Sequence, residues 1–279
     1  MRIYALLGNP VVQSLSPLMH NAALRQMGLS DRYVPLCVRN LPLAVQGLRG
    51  MDIRGISVTI PFKTEIMEYL DDLDDEALRI GAVNTIVSDD GRLIGRNTDW
   101  RGLMRSLTEQ VEVEGKTVVI LGAGGTARAA LYAVVRAGGH PVIANRTEAK
   151  GRALAQNWGC SPVSLKSVGK IKADILINTT PAGMYPNTDE TPIQDAVLTN
   201  FSFVFDVIYN PLKTGLLRAA EAAGCRTLSG LDMFIYQGAE QIRIWTGQSP
   251  PEALMRQAVL EHLTAASALH DPAGKGKHD

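Results

Sequence analysis

Short apolar runs alternate with amphipathic segments along the first hundred residues of the chain. Strands are predicted in the runs IYALLG, RYVPLCV and IRGISVTI, and helices in SPLMHNAALRQMG, LPLAVQGLRG and KTEIMEYLDDL, where apolar residues recur at helical spacing. Two more short strands, joined by a turn at Asp90-Gly91, are predicted in AVNTIVSDDGRLIGRNTD. Because strands and helices alternate, we expect an α/β unit with a mostly parallel sheet.

A second alternating set begins at KTVVILGAGGTARAALYAVVRAGG and continues through PVIANR, AKGRALAQNWG, DILINTT, FVFDVIY, LLRAAEAAG and CRTLSG. A linking helix is predicted in WRGLMRSLTEQVEVEG, and two terminal helices follow in LDMFIYQGAEQIRIWTG and PEALMRQAVLEHLTAA. The predicted fold is therefore α/β with two units, over residues 1–101 and 102–230. We expect the helices of residues 231–268 to pack back on the first unit, and residues 269–279 to form a disordered tail.

The composition is typical of a soluble globular protein, with 46% hydrophobic and 20% charged residues. The 28 basic and 28 acidic residues give a formal net charge of zero, so no global field attracts nucleic acid or an anionic membrane. No apolar run approaches the roughly 20 residues of a membrane span, and the first one is too short for a signal peptide. We expect a cytoplasmic protein that binds small molecules.

The three cysteines, Cys37, Cys160 and Cys225, are widely spaced and odd in number. They match neither a CxxC motif nor the Cys/His spacing of a zinc site. We expect free thiols and no bound metal.

A glycine-rich turn joins a predicted buried strand to a predicted helix within VVILGAGGTARAAL. Its residues, which we call the glycine loop, fit the pattern GxGxxA and are Gly122, Ala123, Gly124, Gly125, Thr126 and Ala127. The first glycine permits the tight turn, the second lets a pyrophosphate approach the backbone, and the alanine allows close helix packing. Free N–H groups at the helix start would face the phosphates. The alternative is a glycine-rich turn that binds no cofactor.

The strand after the glycine loop ends at Asn145-Arg146-Thr147, where dinucleotide-binding folds usually place an acidic residue for the ribose 2′-hydroxyl. Arg146 can instead bind a 2′-phosphate bidentately, with Thr147 and Lys150 adding a hydroxyl and a second positive charge. We therefore predict NADP rather than NAD as the cofactor. Thr147 also stands where a helix cap is expected. The alternative is that Arg146 is a solvated surface charge.

Reduction of a ketone by a nicotinamide cofactor requires a group that supplies a proton to the oxygen. Lys63 follows the strand in SVTIPF and is predicted to open a helix, which is an unfavourable place for a cation. Asp99 lies in GRNTDW, just before the linking helix. Together at the edge of the cleft between the units, Lys63 and Asp99 are the candidate acid/base pair. Which of them carries the transferred proton stays open here.

Two serines follow the first predicted strand in GNPVVQSLSPLMHN. Ser16 is predicted to cap the next helix, with Pro17 as its first residue. Ser14 adds a second hydroxyl at the same helix start, which favours binding of a small carboxylate. The alternative is ordinary capping by Ser16 alone.

Nine motifs then occur in a fixed order across nearly the whole chain: GNPVVQSLSPLMHN, SVTIPFK, GAVNT, NTDW, GAGGTARA, ANRT, NTTPAGM, VIYNPLKT and GLDMFIYQ. This ordered set strongly resembles the shikimate dehydrogenase family, which reduces 3-dehydroshikimate to shikimate with NADPH on the chorismate route to aromatic amino acids. The resemblance implies that residues 1–101 bind substrate and that residues 102–230 form a Rossmann-type NADP domain. We expect a monomer or a homodimer.

The resemblance also implies roles for individual residues. Lys63 would be the catalytic acid/base with Asp99 beside it, and Ser14 and Ser16 would hold the substrate carboxylate. The substrate hydroxyls and reacting oxygen would be bound by Thr59, Asn84, Asp99 and Gln237, with Tyr209 close by. NADP would be held by the glycine loop, by Asn145, Arg146, Thr147 and Lys150, by backbone at Val207 and Gly230, and, as a weaker inference, by Asp75.

Three residues depart from the family pattern. Ser57 stands where asparagine is usual, Trp100 follows Asp99 where glycine is usual, and Lys150 replaces a second arginine. Trp100 is therefore expected to alter the hinge or to narrow the pocket, and Lys150 to soften the preference for NADP. All three departures leave the predicted catalytic groups in place.

Four other functions compete with this one. A quinate/shikimate dehydrogenase with relaxed cofactor use would prefer an acidic residue at Asn145-Arg146. An NADP enzyme acting on folate-bound one-carbon units leaves the two serines and NTTPAGM unexplained. A non-catalytic ligand sensor would be expected to lack Lys63 or Asp99, and a methyltransferase has no need of Arg146.

Overall fold

The first third of the chain forms a six-stranded mixed sheet in the computed structural model, which describes residues 1–270, with side chains through residue 265. Its strands are β1 (Ile3–Gly8), β2 (Arg32–Cys37), β3 (Ile53–Val58), β4 (Asp72–Leu73), β5 (Thr85–Asp89) and β6 (Arg92–Arg96). Its helices are α1 (Ser16–Gln26), α2 (Leu41–Gly50) and α3 (Asp75–Ile80).

The order of strands in this first sheet is β2-β1-β3-β5-β6-β4. β1 pairs in parallel with β2 and β3, and β4 with β6, whereas β5 is antiparallel to both of its neighbours. The antiparallel pairing of β5 with β6 follows from the predicted turn between them, where Asp90 and Gly91 have φ values of 45° and 81°. Two successive left-handed residues are the geometry that closes a two-residue hairpin.

One helix predicted in the first unit is wrong. The segment KTEIMEYLDDL places Lys63 in a turn, then forms a 3-10 helix over Glu65–Tyr69 and ends in β4. Arg49 on α2 donates to the main-chain oxygen of Tyr69 at 2.9 Å and forms an ion pair with Asp71 at 2.5 Å. These contacts, with the pairing of β4 to β6, hold the segment in a tertiary geometry that outweighs its helical spacing.

The second half forms a parallel sheet in the order β12-β11-β10-β7-β8-β9. Its strands are β7 (Thr117–Leu121), β8 (His140–Asn145), β9 (Ser161–Ser164), β10 (Ile175–Asn178), β11 (Phe203–Asp206) and β12 (Arg226–Leu228). Its helices are α4 (Asp99–Thr108), α5 (Gly125–Arg136), α6 (Glu148–Trp158) and α7 (Gly215–Ala222). After β9 the chain crosses to the other side of β7, so a crevice opens beyond the ends of β7 and β10.

The chain ends in two helices that pack on α1, on α4 and on the first sheet. α8 (Leu231–Thr246) contacts β3, β5 and α4, and α9 (Glu252–His270) packs against α1. α9 thus continues two residues past the predicted start of the tail, and residues 271–279 lie outside the described part of the chain. Among the described residues, no helix is both long and apolar enough to cross a membrane.

Trp100 joins the two halves of the molecule through its packing. Its ring is only 3% exposed and meets the ring of Tyr132 on α5 edge-on, with centroids 5.0 Å apart. Its indole N–H donates to Glu76 on α3 at 3.1 Å. The residue that departs from the family pattern therefore fills the core between α3, α4 and α5.

Asp206, the last residue of β11, carries a fully buried carboxyl group. Burial raises its pKa from 3.8 to about 6, although the carboxyl accepts hydrogen bonds from Thr214 at 2.7 Å, Asn178 at 3.0 Å and the Ile208 amide at 3.2 Å. Desolvation disfavours the charged form, so these bonds offset the effect only in part.

We expect Asp206→Asn to remove a stability loss that the wild type shows as pH rises. The folded chain holds the Asp206 proton more tightly than the unfolded chain does, so the protonated carboxyl group stabilises the wild type. This stabilisation is complete below pH 4 and is lost as pH passes through about 6. A two-unit shift corresponds to roughly 3 kcal/mol. Urea unfolding from pH 4 to 7 should show the variant gaining on the wild type by about that amount.

The exposed Asp189→Asn is the matched control and should show no such gain. A pH-independent difference between Asp206→Asn and wild type contradicts the assignment.

Candidate active site

A cavity of about 240 Å³ lies between the two sheets and receives side chains from both. It is bounded on one side by the segments after β1 and β3 and on the other by those after β10 and β11. The predicted site residues that line it are Ser14, Ser16, Thr59, Lys63, Asn84, Asp99, Thr126, Val207, Tyr209, Gly230 and Gln237. Residues from distant parts of the sequence thus converge on one concave space, as a small-molecule site requires.

Lys63 and Asp99 form an ion pair at the edge of the cavity. The Lys63 Nζ and Asp99 Oδ2 atoms are 2.5 Å apart, and the two side chains are 15% and 5% exposed. Lys63 reaches the pair from the turn after β3, and Asp99 from the first residue of α4. A charge-assisted bond in so little water is strong and directional, so the ammonium is held at a fixed place in the cavity.

Asn84 links this pair to the first sheet. Its Nδ2 donates to Asp99 Oδ1 at 2.8 Å, while its Oδ1 accepts from the Thr98 main-chain amide at 2.7 Å and from the Thr85 hydroxyl at 2.8 Å. Gln237 Oε1 lies 3.4 Å from the same Nδ2. Both oxygens of the Asp99 carboxylate therefore have a donor, which is what a buried carboxylate needs.

Ser14 and Ser16 meet at one corner of the cavity, with their hydroxyl oxygens 3.2 Å apart. The predicted cap is wrong, because α1 begins at Ser16 itself, Leu15 occupies the N-cap position and no side chain caps the helix. Ser14 accepts instead from the Ser16 main-chain amide at 3.2 Å. Two hydroxyls at an uncapped helix start leave donors free for an anion.

Tyr209 closes the opposite side of that corner. Its ring stacks on Phe234 with centroids 3.9 Å apart, and its hydroxyl accepts from the Leu15 amide at 3.4 Å. Burial raises the pKa of the Tyr209 hydroxyl above its usual value, so it stays protonated over the physiological range and keeps a proton to donate.

The glycine loop follows β7 and has the geometry that its sequence predicts. Gly122 has a φ of 119°, and a Cβ there would lie 2.5 Å from the Thr179 hydroxyl. A Cβ on Gly124 would meet nothing within 4 Å, whereas one on Gly125 would lie 2.7 Å from Lys63 Cβ. Ala127 is fully buried against the sheet. The loop thus offers open space in front of the α5 N-terminus and touches the predicted catalytic lysine behind it.

The Asn145-Arg146-Thr147 segment lies beside the glycine loop, since the Gly122 amide donates to the Ala144 oxygen at 2.8 Å. Thr147 occupies the N-cap position of α6, but its hydroxyl makes no capping bond, and Asn145 Nδ2 donates to its main-chain oxygen at 2.9 Å. Arg146, Thr147 and Lys150 are exposed. Among residues 1–265, whose side chains the structure describes, neither Arg146 nor Lys150 has an ion-pair partner, so both charges are free to meet an anion.

Val207 and Gly230 meet where β11 and β12 end. A Cβ on Gly230 would lie 1.9 Å from the Val207 oxygen, so only glycine fits this close approach. Asp75, in contrast, is exposed at the start of α3 and does not line the cavity. Trp100 does not line it either, so the expectation that its ring narrows the pocket is wrong. No cluster of His, Cys, Asp or Glu among the described residues could hold a metal ion.

Several cavity residues were not predicted as site residues. They are Gln13, Ser57, Thr179, Thr180, Met184, Tyr185, Phe234 and Gln241. Thr179, Thr180 and Met184 belong to the motif NTTPAGM, for whose residues the family resemblance gives no individual roles. Gln241 lies one helical turn after Gln237, so helical spacing from that residue could have found it.

Three family models match the chain. A shikimate dehydrogenase substrate binding domain matches residues 6–86, a shikimate / quinate 5-dehydrogenase residues 104–206, and a shikimate 5′-dehydrogenase C-terminal domain residues 230–260. The shikimate dehydrogenase (NADP⁺) of Methanothermobacter thermautotrophicus is 45% identical over an alignment 269 residues long, which covers 92% of this chain and 95% of the relative. That of Pyrococcus abyssi is 42% identical over 265 residues, 94% and 99% of the two chains.

Solved structures agree with the sequence relatives. A shikimate dehydrogenase crystallised with NADP⁺ has a TM-score of 0.86 and 40% identity, with 94% of this chain and 96% of the other covered. A Thermus thermophilus shikimate 5-dehydrogenase, in complex with NADP(H) and shikimate, has a TM-score of 0.85 and 36% identity, with coverage of 94% and 99%. The two-unit α/β architecture expected from the sequence is thereby confirmed.

The glycine loop allows a matched pair of substitutions. Gly124→Ala should fold normally, because φ is −85° and the new Cβ meets open space, but the methyl group should obstruct a phosphate and raise the Kd for NADP by about tenfold or more. Gly122→Ala should instead lose about 1–3 kcal/mol of stability. Thermal unfolding and fluorescence titration with NADPH measure the two effects. Unchanged NADP affinity in a folded Gly124→Ala would remove the loop from the cofactor site.

Proposed function

This chain belongs to the shikimate dehydrogenase family, and we propose that it catalyses the reversible NADPH-dependent reduction of 3-dehydroshikimate to shikimate with Lys63 and Asp99 as its acid/base pair. The observation that carries the proposal is the ion pair itself, 2.5 Å long and buried at the meeting point of the two sheets. The family relatives are named as NADP-dependent oxidoreductases, and the chain keeps the groups that such a reaction needs.

The cavity has the chemistry to recognise a small polyhydroxy acid. The Ser14 and Ser16 hydroxyls would bind the carboxylate, assisted by the start of α1 and by the protonated Tyr209. Thr59, Asn84 and Gln237 present hydroxyl and amide groups to the rest of the cavity for the ring hydroxyls. Such a substrate needs many polar partners, since an unpaired polar group in a closed pocket is unfavourable.

Lys63 is the proton donor that we propose for reduction. Its ammonium would donate to the substrate carbonyl oxygen, stabilising the negative charge that develops there and transferring a proton to it. Asp99 holds the ammonium in position and balances its charge, and Asn84 holds Asp99. In the reverse direction, the neutral lysine would accept the proton of the ring hydroxyl.

The cofactor site that we propose runs along the ends of β7 and β8. The glycine loop and the α5 N-terminus would hold the pyrophosphate, and Asn145, Arg146, Thr147 and Lys150 the 2′-phosphate and its ribose. Val207 and Gly230 would flank the nicotinamide with their main chain, and Asp75 is a weaker candidate for the cofactor. When bound, NADPH supplies the hydride that reaches the carbonyl carbon.

We also propose a domain organisation, a location and an oligomeric state for this chain. We assign residues 1–101 to substrate binding, 102–230 to NADP binding and 231–268 to helices that complete the substrate side. A cytoplasmic location and a monomeric or homodimeric state are part of the same proposal. A quinate/shikimate dehydrogenase is the second candidate, favoured by the shikimate / quinate 5-dehydrogenase match over residues 104–206.

The proposed activity predicts that the wild type reduces NADP when shikimate is added, with quinate or NAD giving slower turnover. Absorbance at the NADPH band measures all four combinations of substrate and cofactor. Absence of turnover with shikimate and NADP overturns the proposal. Faster turnover with quinate selects the second candidate.

In the same assay, Lys63→Ala should lower kcat by roughly 10²–10⁴-fold, the usual contribution of a positioned acid/base. Shikimate should still bind, because its other polar partners remain. The exposed Lys166→Ala is the control and should keep wild-type kcat. An unchanged kcat in Lys63→Ala would remove that residue from the chemistry.

Arg146→Ala should weaken NADP binding by roughly 1.5–3 kcal/mol, the range for hydrogen bonds to charged groups, because the 2′-phosphate loses its bidentate partner. NAD binding should stay nearly constant. Arg136→Ala, at the far end of α5, is the matched control. Calorimetric titration with both cofactors measures the difference. Equal losses of binding free energy for NADP and NAD would show that Arg146 does not recognise the 2′-phosphate.

A further inference from the structure

Gln241 lies on the floor of the cavity and is only 1% exposed. It projects from α8 toward the ends of β3 and β5. Its Nε2 donates to the main-chain oxygen of Asn84 at 3.1 Å and to the Thr85 hydroxyl at 3.0 Å, and its Oε1 accepts from the Ser57 hydroxyl at 2.8 Å. The proposed reaction gives no role to this side chain, although it donates to the main-chain oxygen of Asn84, the residue whose amide holds Asp99.

Main-chain groups fix which way both amides point. The Asn84 main-chain oxygen can only accept, so it must face the Nε2 of Gln241. The Thr98 main-chain amide can only donate, so it must face the Oδ1 of Asn84. The Asn84 Nδ2 is thereby turned toward Asp99, at 2.8 Å.

Thr85 connects the two amides. Its hydroxyl has one proton, which it donates to Asn84 Oδ1 at 2.8 Å, so its oxygen is left to accept from Gln241 Nε2. Hydrogen bonds thus run in one direction from Ser57 through Gln241, Thr85 and Asn84 to the carboxylate of Asp99. Bonds aligned in this way polarise one another and hold a single arrangement.

We propose that Gln241 is a positioning residue, which acts through Thr85 and Asn84 to hold the Asp99 carboxylate, and with it the Lys63 ammonium, in the geometry for proton transfer. This inference rests on the proposed function of the ion pair. Loss of the Gln241 amide removes one donor from the Asn84 main-chain oxygen and one from the Thr85 hydroxyl in a buried site. The Thr85 hydroxyl can then turn its proton from Asn84 Oδ1 toward the Thr98 hydroxyl, 3.3 Å away, which weakens the hold on the Asn84 amide and through it on Asp99.

Ser57, which stands where the family usually has asparagine, is hydrogen-bonded to Gln241. The short Ser57 side chain leaves room on the cavity floor, and the long side chain of Gln241 fills it from α8, with the two joined by a 2.8 Å bond. An asparagine at 57 would bring an amide toward the same space from β3. Ser57→Asn should therefore restore function to a variant that lacks the amide of Gln241.

The test compares Gln241→Leu, Gln241→Ala and the double variant Ser57→Asn with Gln241→Ala. The exposed Gln257→Leu on α9 is the control, because it makes the same change far from the cavity. For each protein, kcat and KM for shikimate and for NADP are measured across pH, together with the Tm. Assays run well below the lowest Tm, so that loss of folded protein does not enter the rates.

We expect Gln241→Leu and Gln241→Ala to lower kcat by about 10- to 100-fold, the scale for a small displacement of a reacting group. The pH at which kcat is half-maximal should move, because the hydrogen bonds that hold the Asp99 carboxylate beside the reacting group are weakened, while KM for NADP stays constant. The double variant should recover kcat and the wild-type pH profile. Gln257→Leu should match the wild type throughout.

Unchanged kcat and pH profile in a folded Gln241→Leu overturn the inference, and so does a lower Tm as the only effect. If both single variants fail to fold, the double variant decides, because a folded double variant with a wild-type pH profile supports the inference and a folded inactive one overturns it. An inactive wild type overturns the proposed function, and this inference falls with it. An active wild type with an unaffected Gln241→Leu overturns this inference alone.

Discussion

The buried ion pair between Lys63 and Asp99 is the interaction on which the rest of the site depends. With side chains only 15% and 5% exposed, both charges have lost most of their water and need fixed polar partners instead. Asn84 supplies one to the carboxylate, at 2.8 Å. A lysine so held cannot move away from the cavity without leaving a buried carboxylate unpaired, which is strongly unfavourable. The same constraint that fixes the ammonium therefore keeps it available for the proton transfer that we propose.

The fold meets this constraint by bringing together parts of the chain that are far apart in sequence. Lys63 follows β3, Asp99 begins α4, and Gln237 and Gln241 come from α8. The ion pair also touches the second unit, because Gly125 at the start of α5 packs against the Lys63 side chain. The aliphatic stem of the proposed acid/base lysine thus packs against the proposed cofactor loop, which places the two close together, as a hydride transfer coupled to a proton transfer needs.

Local patterns predicted the elements that depend on local physics. The glycine loop joins its strand to its helix as predicted. The turn needs a φ of 119° at Gly122, a value that glycine accepts and other residue types rarely adopt. The segment KTEIMEYLDDL did not form its predicted helix, because Arg49 and the pairing with β6 determine its geometry. The predicted cap at Ser16 is also wrong, here because of a local bond: Ser14 accepts the Ser16 amide, and α1 starts one residue earlier than expected. Gln241 was missed because its partners, Asn84 and Ser57, lie more than 150 positions away in the sequence.

A crystal structure with shikimate and NADP bound together would show whether Lys63 contacts the reacting oxygen. We expect the Lys63 Nζ to lie about 3 Å from one ring hydroxyl of shikimate and to remain bonded to Asp99. The carbon bearing that hydroxyl should face the nicotinamide ring. A structure in which Nζ points away from every ring hydroxyl, with the ion pair intact and both ligands in the cavity, would contradict the account.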